Sequence, residues 1–304
     1  MKLQILTPGP LTTIQDRGRF GFISSGIGTS GVMDRDAYEA ANYLVGNKHG
    51  EAVLEATLMG PSIRFEEDCI CAVTGADMQT KVGSKAVVPY RPFWVQAGQV
   101  LTMGYAQTGC RGYLAVQGGF DVPLVMGSRS TNLKCALGGY EGRALRAGDV
   151  LTVPDESLST VMDRKRRQPV YTQEVTVHVV PGPQADAFSE RGFQTLWEQP
   201  FAVSAKSDRM GLRLDGPAIE TKNGADIVSD GIALGAIQVT SGGQPIILLA
   251  DRQTTGGYAK IGTVCSFDIP KLAQLKPGGV IHFEQITVEA AQKLLRRKKW
   301  RIWK

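Results

Sequence analysis

Histidine is scarce in this chain, with three in 304 residues. So few imidazoles exclude a histidine-rich metal site and any evident Ser-His-Asp group, and no metal is expected. Cysteine is also sparse: five residues, an odd number without compact spacing. That usage fits reduced thiols in a cytoplasmic protein rather than a disulfide-stapled secreted one. Cys69-Ile-Cys71 puts both sulfurs on one face of a strand, where core packing accounts for them. No apolar run approaches the length of a membrane span. Met1-Lys-Leu-Gln-Ile-Leu-Thr-Pro8 meets a proline before a signal-peptide core could form. The chain also lacks a Gly-x-x-x-x-Gly-Lys-Ser/Thr phosphate loop and a Met-Lys-Met-type biotin attachment segment. Any nucleotide is therefore bound by another route or by a partner, and no covalent biotin is expected.

A strongly basic body is missing as well, despite the net charge of +5. Lys293, Arg296, Arg297, Lys298, Lys299, Arg301 and Lys304 supply seven positive charges at the C-terminus, and without them the remainder stands at −2. The body is thus not a nucleic-acid-binding surface. The tail interleaves Leu294, Leu295, Trp300, Ile302 and Trp303 with that charge. It reads as a docked or frayed terminal helix, with RNA, a membrane surface or a partner as the competing readings.

What is abundant is glycine, 36 residues, with 15 prolines between short Val/Ile/Leu runs, the composition of a turn-rich β protein. Val95-Gln-Ala-Gly-Gln-Val-Leu-Thr102, Leu145-Arg-Ala-Gly-Asp-Val-Leu-Thr152 and Leu275-Lys-Pro-Gly-Gly-Val-Ile-His282 share a turn glycine followed by a β-rich run. Helical periodicity is confined to Asp34–Val45, Gln184–Leu196 and the tail. Asp155–Gln173 is polar, holds the basic run 164–167 and Pro169, and has no core period. These patterns predict a mainly β chain: a first domain over 1–160, a linker at 161–173, a second domain over 174–290 and a basic tail at 291–304.

The densest chemistry follows the apolar run Ile246-Ile-Leu-Leu-Ala250, which reads as a buried strand. Asp251-Arg-Gln-Thr-Thr-Gly-Gly-Tyr-Ala-Lys-Ile-Gly262 then brings together a carboxylate, a guanidinium, an amide, hydroxyls and paired glycines. Arg252 can hold a carboxylate or phosphate through two parallel hydrogen bonds, and Lys260 adds a point charge. Gly256 and Gly257 permit positive φ and close approach of a ligand to the backbone. The competing reading is a glycine-rich turn with an Asp cap. In Ser207-Asp-Arg-Met-Gly211, Asp208 either orients Arg209 in a structural ion pair, or Arg209 shares a cleft with Arg252. Near the N-terminus, Thr12-Thr-Ile-Gln-Asp-Arg-Gly-Arg-Phe-Gly21 joins Gln, Asp and Arg to glycines. The glycines of Gly26-Ile-Gly-Thr-Ser-Gly-Val-Met-Asp34 leave N–H groups free to face an anion at the N-terminus of the first helix, with an ordinary loop and an Asp cap as the alternative. Arg129 centres a further cluster, Met126-Gly-Ser-Arg-Ser130, for which a side-chain-stabilised turn is the alternative.

Taken in order, these segments resemble one family. Thr12-Thr-Ile-Gln-Asp16, Gly31-Val-Met-Asp34, Leu44-Val-Gly-Asn47, Leu54-Glu-Ala-Thr57, Thr74-Gly-Ala-Asp77, Tyr113-Leu-Ala-Val-Gln-Gly-Gly119, Met126-Gly-Ser-Arg-Ser130, Ser207-Asp-Arg-Met-Gly211 and Ala250-Asp-Arg-Gln-Thr-Thr-Gly-Gly-Tyr258 are similar to the C-type subunits of 5-oxoprolinase. That group is also labelled allophanate hydrolase subunit 2-like or the biotin-dependent carboxyltransferase family. The resemblance implies two cyclophilin-like β-barrel domains with a few short helices. It also implies a heteromeric complex with A-type and B-type 5-oxoprolinase partners that converts 5-oxo-L-proline to L-glutamate with ATP hydrolysis, this chain supporting phosphoryl activation of the lactam. Within that frame Asp251, Arg252 and Gln253 are the candidate catalytic group. Arg209, Asp208, Thr254, Thr255, Gly256, Gly257, Lys260, Gln15, Asp16 and Arg129 are candidate substrate-binding residues. Two rival roles come with the family: the carboxyltransferase component of a urea carboxylase-like enzyme, and a non-enzymatic regulator of a kinase inhibitor protein.

Overall fold

The computed structural model describes residues 1–48, 50–154 and 161–302, with side chains described as far as residue 297. The expected end of the first domain at 160 and the tail side chains of 298–304 lie outside the described residues. Two compact units emerge. One holds Met1–Gly21 and Ser30–Tyr171, the other Phe22–Thr29 and Thr172–Lys304. The segment expected as a linker is thus divided, with 161–171 belonging to the first unit.

In the first unit the elements run β1 (Lys2–Thr7), β2 (Leu11–Gln15), α1 (Arg35–Val45), β3 (Val53–Thr57), β4 (Ser62–Phe65), β5 (Cys69–Asp77), β6 (Lys81–Val82), β7 (Lys85–Ala86), β8 (Pro92–Val95), β9 (Val100–Thr102), β10 (Thr108–Val116) and β11 (Val150–Thr152). They form a six-stranded sheet, β11-β1-β4-β9-β6-β7, and a five-stranded sheet, β2-β3-β10-β5-β8. Period-2 alternation explains how they pack. Leu3, Ile5, Ile63, Phe65 and Leu101 from the first sheet meet Leu54, Cys69, Cys71, Leu114 and Val116 from the second in one core. The opposite face of the five-stranded sheet, through Val53, Ile70, Ala72, Tyr113 and Ala115, is covered by Ala37, Tyr38, Ala41, Leu44 and Val45 of α1. Both cysteines of the Cys-Ile-Cys triplet are fully buried in the core between the sheets.

The start of α1 is fixed by Asp34, whose Oδ1 accepts from the Ala37 N–H at 3.0 Å. The Asp34 N–H donates to the Tyr113 hydroxyl at 2.8 Å, and that hydroxyl donates to Glu55 at 2.9 Å. Tyr171 donates to Asp34 Oδ2 at 3.3 Å and lies 3.1 Å from the Tyr90 hydroxyl. Burial pushes the Tyr113 and Tyr171 phenols well up and Tyr90 up to about 12, so all three remain neutral. This network ties the supposed linker down. Val161 is buried against α1, the Arg164 guanidinium donates to Tyr43 O, and that of Arg166 lies 3.6 Å from the Tyr43 ring centroid.

The second unit contains β12 (Glu174–Pro181), α2 (Glu190–Glu198), β13 (Phe201–Val203), β14 (Gly211–Asp215), β15 (Asp226–Gly231), β16 (Ala236–Val239), β17 (Pro245–Leu248), β18 (Thr255–Tyr258), β19 (Lys260–Val264), α3 (Ile269–Ala273), β20 (Val280–Gln285) and α4 (Val288–Ile302). Seven strands close a barrel in the order β12-β19-β16-β17-β14-β13-β20, while β15 and β18 form a separate two-stranded ribbon. The chain is mainly β with few helices, as expected. No helix among the described residues is long and apolar enough to cross a membrane.

The three glycine-led runs seen in the sequence become β9, β11 and β20, each entered through a left-handed glycine: Gly98 at φ 81°, Gly148 at φ 92° and Gly278 at φ 85°. No other heavy atoms lie near a Cβ placed on any of them. Glycine is there for its backbone alone. Replacing Asp34 by Ala removes both a helix cap and the acceptor for Tyr171. The expected loss is about 2 kcal/mol, one part for each contact, read as a lower urea midpoint, with Asp34→Asn retaining most of it.

Candidate functional site

The two clusters of candidate residues fold in different units. In the first, the strand β2 ends at Gln15 and the chain turns at Asp16, whose carboxylate is enclosed by four donors. Gly18 N–H and the hydroxyls of Ser128 and Ser130 reach Oδ1 at 2.8, 2.6 and 2.5 Å, and the Arg129 N–H reaches Oδ2 at 2.5 Å. Three of the four donors, from Ser128, Arg129 and Ser130, are presented by a two-residue turn. Val125 and Ser128 exchange backbone hydrogen bonds around Met126 at φ 52° and Gly127 at φ 75°, the twist of a type I′ hairpin. Asp16 therefore shapes this loop with its acceptor capacity taken up inside the protein. Gln15 is fully buried and donates to Thr13 Oγ1 and Thr131 O. The Arg129 side chain approaches Glu51 at 3.7 Å.

Sequence reasoning did not single out Arg19 within its run, yet it is the largest fully buried side chain among the described residues. It donates to Val125 O at 2.9 Å and Ser130 O at 3.0 Å, which clamps the same turn from beneath. Only its place beside Asp16 in an Asp-Arg-Gly-Arg run could have signalled it. The glycines of 26–31 do not leave the N-terminus of α1 open to an anion, because Asp34 occupies it.

In the second unit Arg209 and Asp251 form a buried two-point pair, Nε to Oδ2 at 2.9 Å and Nη2 to Oδ1 at 3.2 Å. Backbone pairing on either side holds them in register, with Leu249 N–H on Met210 O and Asp251 N–H on Arg209 O. Of the two readings of Arg209, the structure shows the ion pair, with Asp251 as the partner. It also corrects the expected role of Asp208, which caps the Met210 and Gly211 N–H groups rather than orienting Arg209.

Arg252 is different. Its Nε donates to Ile232 O at 3.1 Å, and its Nη1 donates to Leu249 O at 3.2 Å and to the Thr29 hydroxyl at 3.3 Å. No carboxylate among the described residues pairs with it. Burial pushes its guanidinium below its ordinary value, yet arginine remains charged at neutral pH. The side chain is half-buried, so the positive charge is partly stripped of water.

Around it, Gln253 and Thr255 are exposed and Thr254 O accepts from the Ile232 N–H. Lys260 is not a free point charge: its Nζ lies 2.9 Å from Asp230 Oδ2 with the lysine side chain buried. The lysine, followed by the Gly231 N–H, holds the Asp230 carboxyl below the usual carboxylate range. Gly256 and Gly257 also depart from expectation. Neither has positive φ; both lie in β18, with Gly256 registered against Asp230 of β15. Gly256 is small for packing, because a Cβ would sit 2.8 Å from both Gln238 Nε2 and Ile232 Cδ1. Among the described residues, no group of three or more His, Cys, Asp or Glu side chains is arranged to hold a metal ion.

The family described as carboxyltransferase domain, subdomain A and B, matches residues 25–285, and the chain belongs to it. It is 40% identical over 291 residues to the C subunit of 5-oxoprolinase from Escherichia coli, covering 96% of this chain and 93% of that protein. The C subunit of 5-oxoprolinase from Haemophilus influenzae is 38% identical over 295 residues, covering 97% and 94%. Among solved structures, the urea amidolyase of K. lactis superposes with a TM-score of 0.91 at 31% identity, covering 99% of this chain and 20% of that one.

Removing Asp251 alone strands the buried Arg209 charge. Asp251→Ala is expected to cost about 3–5 kcal/mol in urea unfolding. An Arg209→Met, Asp251→Leu double replacement is expected to lose much less. For Asp230 the sign runs with acid: the Lys260 pair is intact above the ordinary carboxylate value of 3.8 and is lost as pH falls through the depressed one. An NMR titration of the Asp230 carboxyl carbon should show a midpoint below 3.8 that moves back up in Lys260→Met.

Proposed function

We propose that this chain is the C-type subunit of an ATP-dependent 5-oxoprolinase, acting with A-type and B-type partners to convert 5-oxo-L-proline to L-glutamate. One observation carries the reading: the chain aligns over more than nine tenths of its own length, and of theirs, with two bacterial proteins of that name. The urea amidolyase relatives are less similar, at 33% identity, and the aligned segment is only 17% of their length.

The chemistry of the second unit suits the role. A lactam is a poor electrophile because its nitrogen lone pair is delocalised into the carbonyl. Phosphorylation of the lactam oxygen by ATP, bound within the complex, converts that oxygen into part of a leaving group. Water then adds to the ring carbon, the C–N bond breaks as the nitrogen takes up a proton, and a second water hydrolyses the resulting acyl phosphate to L-glutamate and inorganic phosphate. The substrate carries a carboxylate throughout, and the activated form adds phosphoryl charge. Arg252 is a half-buried guanidinium whose charge no carboxylate among the described residues answers, and we assign it as the donor to one of those anionic groups. Gln253 and Thr254, which follow it directly, supply further polar contacts. The paired residues Arg209 and Asp251 act by fixing the strand end from which Arg252 projects.

Reconstitution tests this. The chain is combined with A-type and B-type 5-oxoprolinase proteins, and ATP-dependent release of glutamate from 5-oxo-L-proline is followed. Activity should require this chain and fall at least tenfold with Arg252→Ala, the scale of a lost charge-assisted hydrogen bond in a desolvated site. Undiminished turnover in the variant removes Arg252 from the site and leaves the function standing. An assembled complex without activity, but able to transfer carboxyl from carboxybiotin, replaces the reading by the family's carboxyltransferase chemistry.

A further inference from the structure

The segment Phe22–Thr29 lies in sequence between β2 and α1 of the first unit, yet it is part of the second. It opens with a single 3-10 turn, Ile23–Ser25, and most of it is exposed until Thr29, which is 8% exposed. The feature that ends this excursion is the hydrogen bond from Arg252 Nη1 to the Thr29 hydroxyl at 3.3 Å. At Ser30 the chain turns back with φ 50° and rejoins the first unit.

From this we infer that Thr29 is a second anion-binding residue of the Arg252 site. A threonine hydroxyl has one proton to donate and two lone pairs. Here a lone pair accepts from Arg252, and no acceptor among the described residues takes the proton. The O–H is free to rotate toward an anionic oxygen held by the same guanidinium. Accepting from a cation also polarises the hydroxyl and strengthens it as a donor. Meanwhile the carbonyls of Ile232 and Leu249 occupy Nε and share Nη1. They leave the Nη2 edge for the ligand, so the anion meets a guanidinium edge and a hydroxyl together. A carboxylate or phosphoryl group, with two or more oxygens on one centre, matches that pair of donors. The glycines of 26–31 gain a purpose beyond an open loop, since they carry Thr29 to Arg252.

This inference rests on Arg252 binding the substrate anion, and the experiment separates the two. In the reconstituted complex, KM for 5-oxo-L-proline and kcat are measured for Thr29→Val, Thr29→Ser, Arg252→Ala and the Thr29→Val, Arg252→Ala pair. The expected result is a rise in KM of roughly ten- to a hundredfold for Thr29→Val, the worth of one hydrogen bond to a charged group. Thr29→Ser should remain close to the parent, and the pair should be no worse than Arg252→Ala alone. Should Thr29→Val fold poorly, Thr29→Ala carries the same measurement. An unchanged KM in Thr29→Val beside a large effect of Arg252→Ala overturns the role of Thr29 only. Penalties that simply add in the pair overturn it as well. No effect from Arg252→Ala overturns the reading beneath it. As a check independent of turnover, chymotryptic cleavage at Phe20 and Phe22 should quicken in Thr29→Val and slow when 5-oxo-L-proline is added; equal rates in all cases argue against a docked segment.

Discussion

One carboxylate stands next to two guanidiniums in the second unit, and the imbalance organises what surrounds it. Asp251 gives both oxygens to Arg209, and the pair is buried where a lone charge would be costly. Its neighbour in sequence, Arg252, is left with peptide carbonyls, which are dipoles rather than charges. The barrel sets this division, because the segments before and after β14 and β17 hold residues 209 and 251 face to face. A chain that neutralised both arginines would be more comfortable and would have no electrostatic reason to attract an anion. A charge that no carboxylate among the described residues answers thus stands beside one that is fully answered.

How much of this could be read from the residues depended on range. Features governed by a few neighbouring positions were legible. The helix over 35–45 with its Asp34 cap, the burial of Cys69 and Cys71 and the three glycine-led strands all follow from local periodicity and turn chemistry. Features governed by distant partners were not. Nothing near Arg209 says that its carboxylate is Asp251, 42 positions away, when Asp208 stands next to it. Lys260 reads as a free charge until Asp230 is brought to it. Gly256 and Gly257 look like a turn because paired glycines usually are one, whereas Gly256 is required by side chains that arrive from β16 and the β15–β16 connection. Thr29 gives no signal at all in its own neighbourhood.

The first unit shows the complementary case, in which several short motifs converge on buried polar networks. Asp16 gathers the turn at 125–130 and the backbone of Gly18, while Arg19 holds the same turn through its carbonyls. Asp34 and Glu55 are joined through Tyr113 and extended by Tyr171 and Tyr90. Such networks define a unique arrangement because each member is useful only if the others are in place. They also explain why a polar stretch such as 161–171 is more than a connector: its contacts with Tyr43, Tyr90 and Asp34 leave it little freedom to act as one.

The barrel of the second unit is sealed by its first and last strands, β12 and β20, running parallel with Glu174 opposite Val280 and Val179 opposite Gln285. This seam joins segments separated by about a hundred residues of chain, and the ladder between β13 and β20 likewise needs the last strand. During synthesis from the N-terminus, β12 must wait unpaired along that edge until the ribosome has released β20. The order of birth of the strands thus makes closure a late event, after the first unit has had its full sequence available. For that interval the growing chain carries an open, β-rich edge, the state most exposed to mispairing and most in need of a chaperone's cover.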